Sequence, residues 1–229
     1  MHKLLSDKSV IFFDVGNTID RPASGDWMFT NRFLEIAGDR LNRCPADRMQ
    51  KAWKAGIDLL LRNRLIRDEA EEEALFFDFY RIISDGLGLG LTEAELRAAA
   101  WDRTYNMDNY VLYPDARKVI ETLSRTHRLG IISDTWPSIE HQLRALDVRQ
   151  FFSFTTYSCS LGVFKPDRRM FLDALQKCGR DAKETVFIDD NPGNLAGAEA
   201  LGITPILIAA ESPDTESPYT KIRSLSELL

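Results

Sequence analysis

The sequence predicts an α/β protein whose parallel sheet is interrupted, directly after its first strand, by a helical segment. Short apolar runs that end in polar residues occur at 10–13 and again beyond residue 128, as buried parallel strands do. Helical patterns of roughly 10–12 residues alternate with the later runs, which is typical of βαβ units. Between 27 and 109 there is helical periodicity and no convincing strand.

Composition and charge restrict the class of partner. The chain has 229 residues, enough for one large domain or a domain with an insertion, and 44% hydrophobic and 28% charged residues are ordinary for a globular protein. A net charge of −6 provides no basic field for a nucleic acid or an anionic membrane. No apolar run approaches the roughly 20 residues that span a bilayer. We therefore expect neither partner, whereas a small anionic substrate is compatible with the sequence.

Cysteines, histidines and the N-terminus indicate the compartment. The cysteines are odd in number, far apart and without a CxxC pair, which predicts neither a disulfide framework nor a zinc site: Cys44, Cys159 and Cys178. The histidines show no ligand spacing and are expected at the surface: His2, His127 and His141. The N-terminus lacks the apolar core of a secretory signal. These features predict a reduced, cytoplasmic protein.

The helical segment is predicted from periodicity and capping signals. A first helix follows Pro45, placed as a first-turn proline, and carries an apolar face to residue 61. A second begins in the acidic run after Asp68 and is expected to end at the glycines from 86 to 90. Its aromatic residues at 75–83 are interpreted as core between antiparallel helices. Thr92 and Glu95 form a capping box that opens another helix.

The remaining chain is predicted to alternate helices with strands. The helices are expected at 114–126, 139–146, 167–178 and 195–201. The strands are expected at 129–132, 151–157, 185–188 and 205–208. A polar loop at 211–218 should precede a short C-terminal helix.

The first strand must pair with the later ones to be covered on both faces. We therefore predict an α/β core of residues 1–19 and 110–229 and an all-helical domain at 20–109. The alternative, two independent domains in series, would leave the strand at 10–13 without partners.

Polar residues follow three predicted strands and are expected to meet. Asp14 ends the first, Ser133 and Asp134 end the second, and Asp189 with Asp190 ends the third. Right-handed crossovers bring the carboxyl ends of parallel strands to one edge, where open α/β sheets bind ligands. An isolated Asp after a strand more often caps a turn. Adjacent carboxylates at a buried strand end, however, repel each other without a cation, so this edge predicts a metal site.

Four motifs in order resemble the haloacid dehalogenase (HAD) superfamily, in its branch with a helical cap between the first and second motifs. They are DVGNT at 14–18, Ser133, Lys165 with Pro166, and IDDNPGN at 188–194. Each motif is weak alone, but their order and their place on the expected elements are specific. The resemblance covers nearly the whole core and implies a Rossmann-like, HAD-like fold in which 20–109 is the cap.

The resemblance implies roles for residues at these motifs. Asp14 corresponds to a nucleophile that forms an aspartyl-phosphate. Lys165 and Ser133 correspond to catalytic groups that also bind phosphate, together with the backbone N–H of Asp134 and with Thr18.

The resemblance further implies a Mg²⁺ site. Asp14, the backbone carbonyl of Gly16, and Asp190 would bind the ion, since Mg²⁺ favours a few oxygen ligands while keeping waters. Asp189 and Asn194 would act through water or through contacts to the ligands.

Gly16 departs from the family pattern. Phosphatases of the family carry at this position a second Asp, which protonates the leaving oxygen, and such help is worth roughly 10²–10⁴-fold. Asp20 is a nearby candidate for the missing acid. Substrate contacts are predicted for Asp20, Arg21, Trp27 and Trp136.

Three functions follow from these features. The first is a magnesium-dependent phosphohydrolase acting on a small phosphorylated metabolite through Asp14. The second is a 2-haloacid dehalogenase, which also lacks the second Asp but needs no metal. The third is a catalytically impaired protein that binds a phosphometabolite or a partner on the same scaffold.

Overall fold

The computed structural model describes residues 3–211 and 213–229 and contains a six-stranded parallel sheet with a small two-stranded one. The strands are β1 (Val10–Phe13), β2 (Asp20–Pro22), β3 (Tyr110–Leu112), β4 (Arg128–Ser133), β5 (Phe152–Tyr157), β6 (Thr185–Asp189), β7 (Thr204–Ile208) and β8 (Thr220–Ile222). The large sheet has the order β5-β4-β1-β6-β7-β8, and β2 pairs with β3 in antiparallel orientation. The predicted α/β fold class is confirmed.

The first strand lies at the centre of the large sheet. All four residues of β1 are buried, and they pair in parallel with β4 on one side and β6 on the other. Phe13 lies opposite Ile131 and Ile188, so the carboxyl ends of all three strands reach the same edge. Strand β1 thus joins strands that follow it by more than 110 residues, as its continuous apolar pattern predicts.

Ten α-helices are found in the described part of the chain. They are α1 (Asn31–Ala37), α2 (Asp39–Asn42), α3 (Ala46–Arg62), α4 (Glu69–Leu87), α5 (Glu93–Tyr105), α6 (Ala116–Ser124), α7 (Ile139–Ala145), α8 (Ser158–Leu161), α9 (Arg168–Cys178) and α10 (Pro192–Glu199). The first five lie between β2 and β3, and α4 packs against both α3 and α5. The capping box at Thr92 is present at the start of α5.

Helix α4 continues past the first of the glycines at which it was expected to end. A Cβ atom at Gly86 would lie 2.7 Å from Cβ of Ala52, so this glycine permits the close approach of α3 and α4. The helix ends at Leu87, and Gly88, two residues after Gly86, adopts a left-handed conformation with φ of 68°.

The other differences from the predicted elements are local. Strand β2 lies in the polar connector, and β3 and β8 were not predicted, because three-residue strands have too few positions to show a period. Pro45 is the residue before α3 rather than its first residue. Helix α10 begins at Pro192, capped by Asn191, and the C-terminal helix is a 3-10 turn at Leu225–Leu228.

The apolar core lies on both faces of the large sheet. Side chains alternate along β1, so Ile11 and Phe13 join one cluster while Val10 and Phe12 join the other. The first cluster extends without interruption into the helices between β2 and β3, where Phe76 and Tyr80 are fully buried. This continuity holds the helical layer against the carboxyl edge of the sheet.

The structure tests the predictions made for the histidines and the cysteines. The surface prediction for His127 is wrong: the ring is 8% exposed and lies 3.2 Å from the carbonyl oxygen of Leu5, which satisfies a buried nitrogen. His141 is exposed, and His2 lies outside the described residues. All three cysteines are free.

Among the described residues, no helix has the length and apolarity needed to cross a membrane.

Candidate active site

Three carboxylates meet at the carboxyl edge of the sheet. Asp14 directly follows β1, and Asp189 and Asp190 lie at the end of β6. One oxygen from each of the three carboxylates lies within 4.8 Å of the others. Asp14 and Asp189 are buried, and Asp190 is partly buried. The parallel pairing of β1 with β6 therefore concentrates negative charge in a poorly solvated place.

One buried cation contacts two of these carboxylates. Nζ of Lys165 lies 2.8 Å from Oδ1 of Asp14 and 2.7 Å from Oδ2 of Asp189. Burial opposes the charge on Lys165, but the two carboxylates outweigh it and hold its pKa above the ordinary value. The backbone N–H of Lys165 also donates to Oδ1 of Asp134 at 2.9 Å. This bond fixes the loop that presents the ammonium group.

Both oxygens of Asp189 are engaged by protein donors. Oδ1 accepts from the backbone N–H of Asn191 at 2.7 Å, and Oδ2 accepts from Lys165. Nδ2 of Asn194 lies 3.1 Å from each oxygen. Asp189 is thus a fixed anchor for Lys165 and Asn194, and its oxygens have little capacity for another partner.

Asp14 and Asp190 are less completely engaged. Lys165 contacts Oδ1 of Asp14, and Nδ2 of Asn17 donates to Oδ2 of Asp190 at 3.2 Å. Asn17 has φ of 57°, a left-handed conformation that Asn tolerates. Its own Oδ1 accepts from Nε1 of Trp27 at 3.3 Å. Each of the two aspartates keeps one oxygen without a hydrogen bond from any described residue.

The electrostatics of the cluster favour a further cation. Burial raises the pKa of Asp14; Lys165 opposes this rise, and the carboxylate of Asp189 adds to it. Burial, followed by the charge of Asp189, also raises the pKa of Asp190. Three carboxylates share one ammonium group, so their charge is not balanced within the cluster. The donors are carboxylate oxygens, the type of ligand that Mg²⁺ prefers, so the chemistry of the residues present fits this ion.

The carboxylates open into a cavity of about 310 Å³. Nine of the residues with predicted site roles line it: Asp14, Gly16, Trp27, Ser133, Asp134, Trp136, Lys165, Asp190 and Asn194. Asp189 lies behind Lys165. Thr18, Asp20 and Arg21 do not line the cavity: the first two are fully buried, and Arg21 is exposed on β2. The hydroxyl of Thr18 has no hydrogen-bond partner among the described residues.

The indole of Trp27 covers the backbone at Gly16. A Cβ atom at Gly16 would lie 3.0 Å from Cζ2 and 3.2 Å from Cη2 of this ring. A side chain at position 16 would therefore begin in tight contact with Trp27, whose ring would have to shift by a few tenths of an ångström. The sequence departure at position 16 is accompanied by an aromatic residue that uses the space.

Asp20 is close to the cavity but separated from it. Its carboxylate accepts a hydrogen bond from Nε2 of Gln142, which lines the cavity, while its Oδ1 has no partner among the described residues. Burial raises the pKa of Asp20 to about 7, and the bond from Gln142 only partly opposes this. Asp20 is thus readily protonated near neutral pH, but it has no direct opening to the site.

Arg103 is a cavity residue that the sequence predictions missed. It is 3% exposed, donates from Nε to the carbonyl oxygen of Trp27 at 3.0 Å, and donates from Nη1 to the hydroxyl of Tyr110. Its guanidinium carbon lies 4.5 Å from the ring centre of Phe76 and 5.0 Å from that of Trp136. The sequence could have predicted that Arg103 is buried, because it continues the helical repeat of buried positions formed by Leu96, Ala99 and Ala100.

A buried acid ties the helical layer to the loop after β4. Glu72 accepts from the backbone N–H of Ser138 at 2.8 Å and from its hydroxyl at 2.7 Å, and lies 3.9 Å from Arg103. Burial raises the pKa of Glu72 more than Arg103 and Ser138 lower it. Ser138 and Gln142 line the cavity, and neither was predicted, because no local pattern distinguishes them.

Curated relatives include both phosphatases and dehalogenases. Acyl-CoA dehydrogenase family member 10 of Mus musculus is 35% identical over 223 residues, which are 96% of this chain but only 19% of that protein. Glyceraldehyde 3-phosphate phosphatase of Methanothermobacter thermautotrophicus is 23% identical over 94% of this chain and 92% of that protein. (S)-2-haloacid dehalogenase 4A of Burkholderia cepacia is 25% identical over 67% and 70%.

Solved structures show the same fold, and a family model shows the family. The HAD-hydrolase YfnB of Bacillus subtilis superposes with a TM-score of 0.70 at 18% identity, over 96% of both chains. The family model for haloacid dehalogenase-like hydrolases matches residues 8–202, which include all four motifs. The chain therefore belongs to the haloacid dehalogenase-like hydrolase family.

Proposed function

We propose that the protein is a magnesium-dependent phosphohydrolase that acts on a small phosphorylated metabolite through an aspartyl-phosphate on Asp14. The observation that carries this proposal is the cluster of Asp14, Asp189 and Asp190 around a single ammonium group, that of Lys165. A dianionic phosphate can enter so negative a site only when further positive charge is present. The similarity to a phosphatase over nearly the whole chain supports this chemistry.

Three groups would hold the magnesium ion. Asp14 and Asp190 each keep one oxygen without a protein donor, and no hydrogen bond from the described residues ends on the carbonyl oxygen of Gly16. Asp189 would not bind the ion directly, because Lys165 and Asn194 occupy its oxygens. When bound, Mg²⁺ would offset the carboxylate charge and polarise a phosphate oxygen.

Hydrolysis proceeds in two displacements. Oδ1 of Asp14, the oxygen that Lys165 contacts, attacks phosphorus, while the other oxygen would hold the ion. The ester P–O bond breaks, and the leaving group departs with the bonding electrons. Water then attacks the aspartyl-phosphate at phosphorus, which breaks its bond to Asp14 and releases inorganic phosphate. Lys165 lowers the repulsion between Asp14 and the phosphate, and Ser133 with the N–H of Asp134 donates to the phosphate oxygens. Thr18 is fully buried and does not line the cavity, so it would not contact the phosphate.

The site lacks a direct proton donor for the leaving oxygen of the ester. Gly16 offers no proton to a departing oxygen, and Trp27 fills the adjoining space. Asp20 has a pKa near neutrality but reaches the cavity only through Gln142. We expect aryl phosphates, whose leaving groups need no proton, to react faster than alkyl phosphates.

We further propose that 20–109 acts as a cap domain on a core formed by 1–19 and 110–229. Trp27, Met28 and Arg103 of this segment line the cavity together with the core residues of the four motifs. Closure of such a segment excludes water from the phosphoryl transfer. Trp27 and Trp136 would contact the substrate, whereas Arg21 points away into solvent.

A dehalogenase is the second candidate. In that case Asp14 attacks carbon and displaces halide, and the absence of an acid at Gly16 is no disadvantage because halide leaves without a proton. The similarity to (S)-2-haloacid dehalogenase 4A favours this candidate. The excess carboxylates at Asp189 and Asp190 argue against it, because displacement of halide has no need of a cation at that place.

A panel of substrates with and without magnesium tests the proposal. We expect phosphate release from p-nitrophenyl phosphate with Mg²⁺ and none with EDTA. Halide release from 2-chloropropionate in the presence of EDTA would instead establish the dehalogenase. A rise in melting temperature with phosphate esters, without turnover of any, would indicate a binding protein on the same scaffold.

A further inference from the structure

A second cavity adjoins the candidate active site and has an apolar wall. Its volume is about 330 Å³, and its lining includes Ile57, Leu60 and Leu61 of α3 together with Phe164. Four other residues line both cavities: Met28, Asp134, Thr135 and Trp136. The two cavities are therefore neighbouring compartments with a shared wall.

Residues of α4 and α5 hold the shared wall in place. Trp136 packs edge-to-face on Phe76, with ring centres 5.2 Å apart, and the guanidinium carbon of Arg103 lies 5.0 Å from its ring centre. The carbonyl oxygen of Met28 accepts from the hydroxyl of Tyr80 at 2.6 Å. Because these contacts fix Trp136 and Met28, the apolar compartment is a built feature of the fold.

The phosphate-binding loops also form the apolar compartment. Asp134 and Thr135 directly follow Ser133, and Phe164 directly precedes Lys165. A phosphate held by Ser133 and Lys165 would therefore have the next atoms of its ester within reach of this compartment.

The rim of the compartment leaves an apolar side chain in water. Leu61 is 45% exposed, although the face of α3 that carries Ala52 and Leu60 is buried. An apolar ligand that covered Leu61 would gain about 25 cal/mol for each Å² removed from water.

We propose that this compartment binds the apolar arm of the substrate, so that the enzyme acts on phosphate monoesters carrying an alkyl or aryl group of several carbons. The inference rests on the proposed phosphohydrolase function and specifies its substrate class. The phosphate lies at the carboxylate cluster, and the apolar arm passes Asp134 and Thr135 to rest against Leu60, Leu61 and Phe164.

A series of 4-alkylphenyl phosphates, from methyl to hexyl, tests the inference. The alkyl group hardly changes the acidity of the phenol, so differences in kcat/KM report contacts of the chain. We expect kcat/KM to rise about fourfold for each methylene that is buried, equivalent to about 0.8 kcal/mol, until the compartment is filled. A flat series would overturn the inference while leaving the phosphohydrolase function intact.

Two substitutions at the rim make the test specific. Leu61→Gln should reduce the dependence on chain length, and Leu61→Trp should stop the rise at a shorter chain by filling space. The matched controls are Leu172→Gln and Leu172→Trp, at a leucine of similar exposure (40%) that lines neither cavity, and these should behave as wild type.

A binding measurement separates the inference from the proposed function. Alkylphosphonates of increasing length, with Mg²⁺, should raise the melting temperature in a length-dependent way even if no ester is hydrolysed. If esters are hydrolysed but neither series depends on length, the compartment is not a substrate site. A different result would assign Leu61 to a contact between copies of the chain. In that case neither kcat/KM nor the melting temperature would depend on chain length, and light scattering would detect a concentration-dependent dimer that Leu61→Gln abolishes.

Discussion

The indole ring of Trp27 lies against the α-carbon of Gly16, with Cζ2 only 3.0 Å from the place where a Cβ atom would stand. Trp27 also donates from Nε1 to Asn17, whose side chain donates to Asp190. Glycine at position 16 and tryptophan at position 27 are thus complementary. An acidic side chain at position 16 would consequently need a change at Trp27 as well as at Gly16.

We expect Gly16→Asp alone to lower turnover of both aryl and alkyl phosphates, because the new side chain would displace Trp27 and disturb Asn17. The double substitution Gly16→Asp with Trp27→Ala provides room for the carboxyl group. It should narrow the rate difference between p-nitrophenyl phosphate and an alkyl phosphate by roughly 10²-fold, the lower range for general acid help. Steady-state kinetics on the two esters measure this difference.

The controls for this pair are Trp27→Ala and Trp101→Ala. Trp101 is 55% exposed and does not line the cavity, so its substitution should leave both rates unchanged. If wild type hydrolyses the two ester classes at equal rates, another acid already serves the site and the argument from Gly16 is wrong.

Asp14→Asn should reduce turnover of p-nitrophenyl phosphate by roughly 10⁴-fold or more, the scale on which loss of a nucleophile acts. The fold should persist, because Lys165 retains its 2.7 Å contact with Asp189 and asparagine removes one of three crowded charges. Circular dichroism would confirm the fold. Unchanged turnover in the variant would exclude the aspartyl-phosphate.

Lys165→Met should destabilise the protein by about 3–5 kcal/mol, because it leaves Asp14 and Asp189 buried without their cation. Adding Asp14→Asn should restore part of this loss, which urea unfolding of the single and double variants at pH 8 would measure. Lys54→Met is the matched control. Its 2.6 Å pair with Asp58 is exposed, so the loss should stay below about 1 kcal/mol.

Asp20 should make stability depend on pH. Its folded pKa of about 7 lies above the ordinary value of 3.8, so folding is coupled to the uptake of a proton. The stabilisation from this proton is complete below pH 4 and is lost as the pH rises through 7. Asp20→Asn should remove this loss, which amounts to at most about 4 kcal/mol by pH 8.

Urea unfolding of wild type and Asp20→Asn at pH 5 and pH 8 measures the effect. The variant should gain stability relative to wild type at the higher pH. Asp39→Asn, at an exposed position on α2, should show the wild-type dependence. If the free energy of unfolding changes equally with pH in wild type and Asp20→Asn, ionisation of Asp20 does not destabilise the folded protein.

The α/β fold and the residues at the strand ends could be predicted because their signals are local. The continuous apolar run of β1 requires partners on both sides, and parallel connections bring Asp14, Ser133 and Asp189 to one edge whatever the helices do. The order of the motifs then indicates Lys165. None of these inferences needs the packing of one particular side chain against another.

Only the tertiary structure decided how the helical layer completes the site. The contacts of Trp27 with Gly16, of Arg103 with Trp136, and of Glu72 with Ser138 join positions 11 to 66 residues apart. Such contacts depend on how α4 and α5 pack over the sheet edge, and neither periodicity nor motif spacing encodes that docking. The sequence by itself determined where the acidic cluster lies, and side-chain packing between the helical layer and the sheet determined the space around it.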